Sequence, residues 1–157
     1  MDLSELTTRT GIDRRKLRYV LDHALIPELH IELGENETGR PRRFANDVGF
    51  AIVCAARLLD LGLPHAKIQL FLRGLLEYKH KPTDKTVLLT SILGNDQSAY
   101  ADCGDAGEFR IRADGHLFDW VSLEGPKLTK IKAEPFTIVT LNLGAIRDQI
   151  FLPNSVT

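Results

Sequence analysis

Gly11-Ile12-Asp13-Arg14-Arg15-Lys16-Leu17-Arg18-Tyr19 is the stretch on which the fold turns. Gly11 is a stop signal for the segment before it, and Asp13 is placed to cap a helix that begins at Arg14. Four cations then fall within five consecutive positions, uninterrupted by a carboxylate. Leu17, Val20 and Leu21 keep the spacing of one helical face, which leaves Arg14, Arg15 and Arg18 largely off it. The stretch reads as a cationic helix, residues 14–23, presented after a tight turn, which is how a recognition helix is offered to DNA.

Working outward, Leu3 and Leu6 mark a short first helix over residues 3–9, with Asp2 placed to help its first turn. Pro27 closes the helix pair. Leu29-His30-Ile31-Glu32-Leu33 alternates apolar and polar residues, the period of a half-buried strand. Residues 34–39 form a turn rich in Gly and Asn, and residues 40–44 return as a second strand, with Pro41 tolerable on an edge. A helix pair followed by a small hairpin predicts a winged helix-turn-helix. Asn46 or Asp47 caps a third helix running to about Leu61, with a stripe of Phe50, Val53, Cys54, Arg57, Leu58 and Leu61. Gly62 stops it, and Pro64 opens a fourth helix carrying Ile68, Phe71, Leu72 and Leu75. Residues 78–82, basic and ending at Pro82, read as a linker.

Beyond Asp84 the pattern changes. Residues 86–92 are rich in β-formers. Residues 109–112 and 117–121 flank Ala113-Asp114-Gly115 as a hairpin around an Asp-Gly turn. Residues 128–133 and 136–143 are two further strands, the last so apolar that a central place is expected. Residues 145–151 close as a short helix. The expected class is α+β: a winged helix-turn-helix over residues 1–80, of four helices and a β-hairpin wing, then a small β-rich module with a terminal helix over residues 84–157.

Composition bounds the function. The chain is 43% hydrophobic and 26% charged, as soluble globular proteins are. It shows no apolar run of membrane-spanning length and no secretory leader at Met1-Asp2-Leu3-Ser4-Glu5, so a cytoplasmic protein without membrane partners is expected. Two cysteines, Cys54 and Cys103, are too few for a disulfide framework. The formal net charge of −1 does not announce nucleic acid. Its distribution says more. Residues 1–44 hold eight Lys/Arg and eight Asp/Glu, residues 45–82 hold five and three, and residues 83–157 hold seven and ten. The second half is acidic, and the cations of the first are clustered.

Five ordered elements carry a resemblance. Leu6-Thr7-Thr8-Arg9-Thr10-Gly11-Ile12, Leu17-Arg18-Tyr19, Leu25-Ile26-Pro27, Arg43-Phe44 with Asn46-Asp47-Val48, and Leu61-Gly62-Leu63 with Ile68 follow one another at matching spacing. Together they resemble the DNA-binding domain of the MerR family of bacterial transcription regulators over about the first 76 residues. The resemblance implies a homodimer on a pseudo-palindromic operator, with a recognition helix in each major groove, Arg18 and Tyr19 on phosphate, and Arg43 reaching phosphate from the wing. Three departures stand beside it. The long dimerising helix that usually follows the fourth helix is not in evidence, because the apolar pattern stops near Leu76 and Pro82 opposes continuation. Glu35 and Glu37 sit in the wing loop, where phosphates would repel them. Val20 replaces the second aromatic of the usual pair.

The expected DNA-binding residues are therefore Arg14, Arg15, Lys16, Arg18 and Tyr19 on the helix, with Arg40, Arg42 and Arg43 in the wing. Arg14, Arg15 and Lys16 are the base-reading candidates, since Arg on guanine is the commonest specific contact. The bland alternatives are a solvated helix face and an edge strand guarded by charge. Phe118 and Trp120 alternate around Asp119 and would share one sheet face, as core, interface or pocket wall. Cys54 reads as a small buried hydrophobe, and Cys103, in a stretch read as a polar loop, is a weak sensor candidate. Asp114, His116 and Asp119 lack a nucleophile or phosphate loop, so no enzyme, metal or cofactor is expected.

The expected partners are double-stranded DNA and a second copy of the chain, with RNA polymerase or another protein as a further candidate. Bound to DNA, the protein would be nucleoid-associated. With the long helix missing, the β-rich module is the expected site of dimerisation. The alternative reading is an architectural or recombination protein, excisionase-like or like the small subunit of a phage terminase, whose second module binds another protein.

Overall fold

The computed structural model describes residues 1–26, 43–79, 81, 83–94, 97–113, 116–132 and 134–152. The arrangement is α+β. Four helices come first: α1 (Leu3–Thr10), α2 (Arg14–Asp22), α3 (Asn46–Asp60) and α4 (His65–Glu77). A turn of π-helix (Leu88–Ile92) leads into an antiparallel sheet of β1 (Ala99–Gly104), β2 (Glu108–Ala113), β3 (His116–Leu117), β4 (Val121–Ser122), β5 (Thr129–Lys130) and β6 (Ile138–Asn142), and α5 (Leu143–Phe151) follows. Among the described residues no helix is long and apolar enough to cross a membrane.

α3 is the axis of the helical part. Its residues 49–56 are all buried, and α1, α2, α4 and α5 each pack against it. This is why the helix reads as apolar nearly all round rather than along one stripe. Leu61, placed on that stripe from sequence, lies past the helix end and is exposed. The sheet order is β5-β4-β2-β1-β6, with β3 pairing β2 off that path. Phe109, Ile111, Ala101 and Leu141 bury one face, while Asp102, Arg110, Arg112 and Thr140 lie on the other.

One hydrophobic core runs from Leu6 and Leu17 in the helices to Phe109 and Ile150. Hydrogen bonds stitch the same join. Arg73 Nη1 donates to the carbonyls of Leu123 (2.8 Å) and Gly125 (2.6 Å), and the Tyr78 hydroxyl donates to Asp119 O (2.7 Å). On the other side, Arg9 Nη1 donates to Ile150 O (3.0 Å) and Gln149 Nε2 to Thr10 O (3.1 Å). Tyr78, expected in a linker, is a core residue whose carbonyl accepts from Val87 N at 2.8 Å.

Four expectations are corrected. Residues 88–92 form a turn of π-helix rather than a strand: Val87, Leu88 and Ile92 turn into the core, and Arg147 caps the Ile92 carbonyl at 3.2 Å. Tertiary burial has overridden β propensity here. The 109–121 hairpin forms at Arg112↔Leu117 and Ala113↔His116, but its return breaks at residues 118–120 before resuming as β4. The apolar strand near residue 140 is β6, at the sheet edge rather than its centre. The centre is shared by β2 and β1, and in β1 Cys103 lies buried in a strand rather than in a polar loop. Most of the expected wing falls outside the described residues. Its last two positions, Arg43 and Phe44, are irregular chain, with Phe44 and Met1 exchanging backbone hydrogen bonds (3.0 and 2.6 Å).

Candidate nucleic-acid interface

The site begins at the turn. The Asp2 carboxylate accepts from Glu5 N (2.9 Å) to start α1, and Gly11 ends it with φ of 71°, donating its N–H to Thr7 O at 2.8 Å. That left-handed conformation suits glycine and is strained for residues with a Cβ. Ile12 drops into the core, fixing the exit, and the Asp13 carboxylate accepts from Arg15 N at 2.7 Å to start α2. Leu17 and Val20 anchor the helix. Leu21 packs part-buried against the same core, and Arg14, Arg15 and Arg18 face outward.

The five expected helix residues divide into two groups. Arg14, Arg15 and Arg18 are exposed, and no ion pair or side-chain hydrogen bond engages them among the described residues. Lys16 instead forms an ion pair with Asp60 at the end of α3. Tyr19 is also engaged: its hydroxyl lies 2.9 Å from His65 Nε2 at the start of α4, and its ring stacks on His23 at 3.7 Å between centroids. His23 Nδ1–H in turn donates to Tyr19 O at 3.0 Å. Lys16 and Tyr19 thus fasten α2 to its neighbours, and the three arginines are left displayed.

Arg14 and Arg15 occupy the first turn of α2, which holds no acidic residue, although the Asp13 cap sits beside them. Cations at this end oppose the helix dipole, at about 0.3–1 kcal/mol each. Stability does not favour that placement. Asp22 is exposed four residues after Arg18, on the same side of the helix, and is the one carboxylate of the α2 segment itself.

Arg43 is exposed and pairs with Glu5 of α1 at 3.5 Å. Arg40 and Arg42 lie outside the described residues. The partners that reveal which side chains are engaged, Asp60, His65, His23 and Glu5, are not evident from the sequence. Only His23, one turn after Tyr19, carried a local signal.

Phe118 and Trp120 part company. Trp120 is buried beneath the Arg110 guanidinium, 4.2 Å from its ring centroid. Phe118 packs edge-on to Tyr78 and lines a cleft of about 1060 Å³ with Leu128, Lys79 and Lys127. His116 stacks near Phe118, and Asp119 pairs with Lys130, both at the surface; Asp114 is not among the described residues. No group of three or more His, Cys, Asp or Glu able to hold a metal ion occurs among the described residues. Burial pushes the thiols of Cys54 and Cys103 up, the latter to about 11, which opposes the thiolate form that a sensor needs. No protein family, curated protein or solved structure matches the chain.

Proposed function

We propose that the chain is a sequence-specific double-stranded DNA-binding transcriptional regulator, working as a homodimer on a pseudo-palindromic operator through a winged helix-turn-helix. The observation that carries this reading is the display of Arg14, Arg15 and Arg18 on a helix whose other cation and aromatic are engaged in holding it. A short helix whose N-terminal guanidinium groups have no partner among the described residues suits entry into a major groove, where the first residues meet base edges and later ones meet phosphate. The first-turn arginines, unfavourable for the helix, gain a purpose against a polyanion. Arg18 is assigned to phosphate and Arg14 and Arg15 to base edges. Lys16, read from sequence as a third base reader, is given instead to positioning.

The ordered MerR-like motifs support the same assignment, including a wing within residues 29–44 and a cytoplasmic setting. The four-helix part and the sheet share a core, so α2 is braced by the whole chain rather than by a detachable module. Selection of bound duplex from a random pool by the full-length protein tests the reading. Enrichment of a two-fold related motif is expected, and loss of enrichment in the Arg14→Ala/Arg15→Ala double variant. Retention of no duplex above background, or binding with no sequence preference, would overturn it. Enriched sites that map to attachment or packaging regions instead of promoters would favour the architectural alternative.

A further inference from the structure

The cleft of about 1060 Å³ between the end of α4 and the return of the sheet is unbalanced in charge. Lys79, Lys81, Lys127 and Lys130 line it, against two carboxylates, Glu77 and Asp119. Both carboxylates are already paired. Glu77 Oε2 accepts from Arg73 Nε at 3.1 Å, and Asp119 lies 3.5 Å from Lys130. Lys79, Lys81 and Lys127 are exposed and have no ion pair among the described residues.

Hydrogen bonds to the backbone hold these positions. Tyr78 O accepts from Val87 N at 2.8 Å and Lys81 O from Asp84 N at 3.0 Å, which ties down the stretch carrying Lys79 and Lys81. Arg73 acts twice: it neutralises Glu77, and its Nη1 donates to Gly125 O at 2.6 Å, two residues before Lys127. The Tyr78 hydroxyl fixes the opposite wall by donating to Asp119 O at 2.7 Å. Leu76, Phe118 and Leu128 supply an apolar lining, part-buried and packed on the core. Edge protection accounts for Lys130 on β5, but not for Lys79 and Lys81, which lie on no strand.

We propose that the cleft binds a small amphipathic anion, an aromatic or branched apolar body carrying one carboxylate or phosphate group. The apolar body lies on Phe118, Leu128 and Leu76, and the head group meets Lys79, Lys81 and Lys127. Like charges gathered round one cleft repel one another, and an anion both relieves that repulsion and is drawn in by it. The volume is at the upper end of small-ligand pockets, roughly 300–1,000 Å³, and admits such a body. A neutral apolar molecule would leave the lysines unanswered, and a nucleic-acid phosphate backbone would make no use of Phe118 and Leu128. Only a molecule with both characters uses the whole lining. The site stands or falls independently of DNA binding.

Fluorescence titration of the full chain with anilinonaphthalene sulfonate, an aromatic body with one sulfonate, tests it. Saturable binding at one site per chain is expected, with its uncharged counterpart, phenylnaphthylamine, bound about tenfold more weakly. Naphthoate and naphthyl phosphate should each displace the dye, the stronger of the two naming the head group, and inorganic phosphate should not. The Lys79→Ala/Lys127→Ala double variant, at two exposed positions, should weaken dye binding about tenfold and binding of the uncharged counterpart far less. Leu128→Asn should weaken both. Phe136→Ser removes a ring that is 97% exposed and outside the cleft, and should change neither. Equal affinity for the charged and uncharged dyes, displacement by inorganic phosphate alone, or unchanged dye affinity in the lysine variant would overturn the proposal. Loss of dye binding in Phe136→Ser would do the same.

Discussion

Tyr19 and His65 meet at 2.9 Å between the phenol oxygen and Nε2, joining the last part of α2 to the first residue of α4. The contact belongs to the bracing of the helix and not to its display. Tyr19→Phe keeps the stack on His23 and loses only the hydrogen bond. It should cost about 0.5–1.5 kcal/mol in chemical denaturation. DNA affinity should fall far less than in the arginine variants; a loss as large as theirs would return Tyr19 to the phosphate contact implied by the MerR resemblance.

Arg18→Ala should weaken binding to every duplex alike and reduce the magnitude of the salt slope of log K by about one phosphate contact's worth. Fluorescence anisotropy across a salt series measures both. Lys16→Ala, by contrast, should leave the slope nearly unchanged, because Lys16 is held by Asp60. Equal slope changes in the two variants would mean that the ion pair opens on DNA.

Gly74 in α4 lies directly over Phe109, and a Cβ there would stand 2.7 Å from the ring. Phe109 is fully buried between helix and sheet and has no room to retreat. Gly74→Ala should therefore destabilise the chain by about 1–3 kcal/mol through overpacking. Because one core spans both parts, far-UV circular dichroism and a β2 amide probe should lose signal in the same transition.

Asp102 is 2% exposed and accepts hydrogen bonds from Arg112 (2.7 and 3.0 Å), Arg110 (2.9 Å) and Thr140 (2.7 Å). Burial alone would raise its carboxyl. The bonds from Arg112, Thr140 and Arg110, with the Arg112 charge, outweigh that and hold it below the usual carboxylate range. A carboxyl depressed in the folded state contributes stability above its unfolded value, about 3.9, and loses it as pH falls through the folded value. Asp102→Asn should destabilise the chain at neutral pH by about 1–3 kcal/mol. It should also remove part of the stability loss below about pH 4. Denaturation midpoints at a series of pH values would show the two curves converging in acid.

The helices were legible because their apolar spacing is local. α1, α2, α3 and α4 lie within a residue or two of the positions read from Leu3 to Leu75. β1 was invisible for a physical reason. Asp102, Cys103 and Gly104 look like a loop until Arg110 and Arg112 of the next strand arrive to neutralise the carboxylate. An uncharged strand signals burial and hence a central place, yet β6 lies at the edge of the sheet and is equally apolar. The cationic cluster was plain in the sequence. That Lys16 and Tyr19 are engaged depends on Asp60 and His65, more than forty residues away.

The bond from Arg9 to the Ile150 carbonyl spans 141 positions of the chain, and Gln149 reaches Thr10 across 139. The back of α1 is therefore closed by residues that leave the ribosome long after α1 and α2. During synthesis the early helices stand without that support until α5 has emerged and docked. Closure of this long range makes the complete packing of α1 a late event of folding.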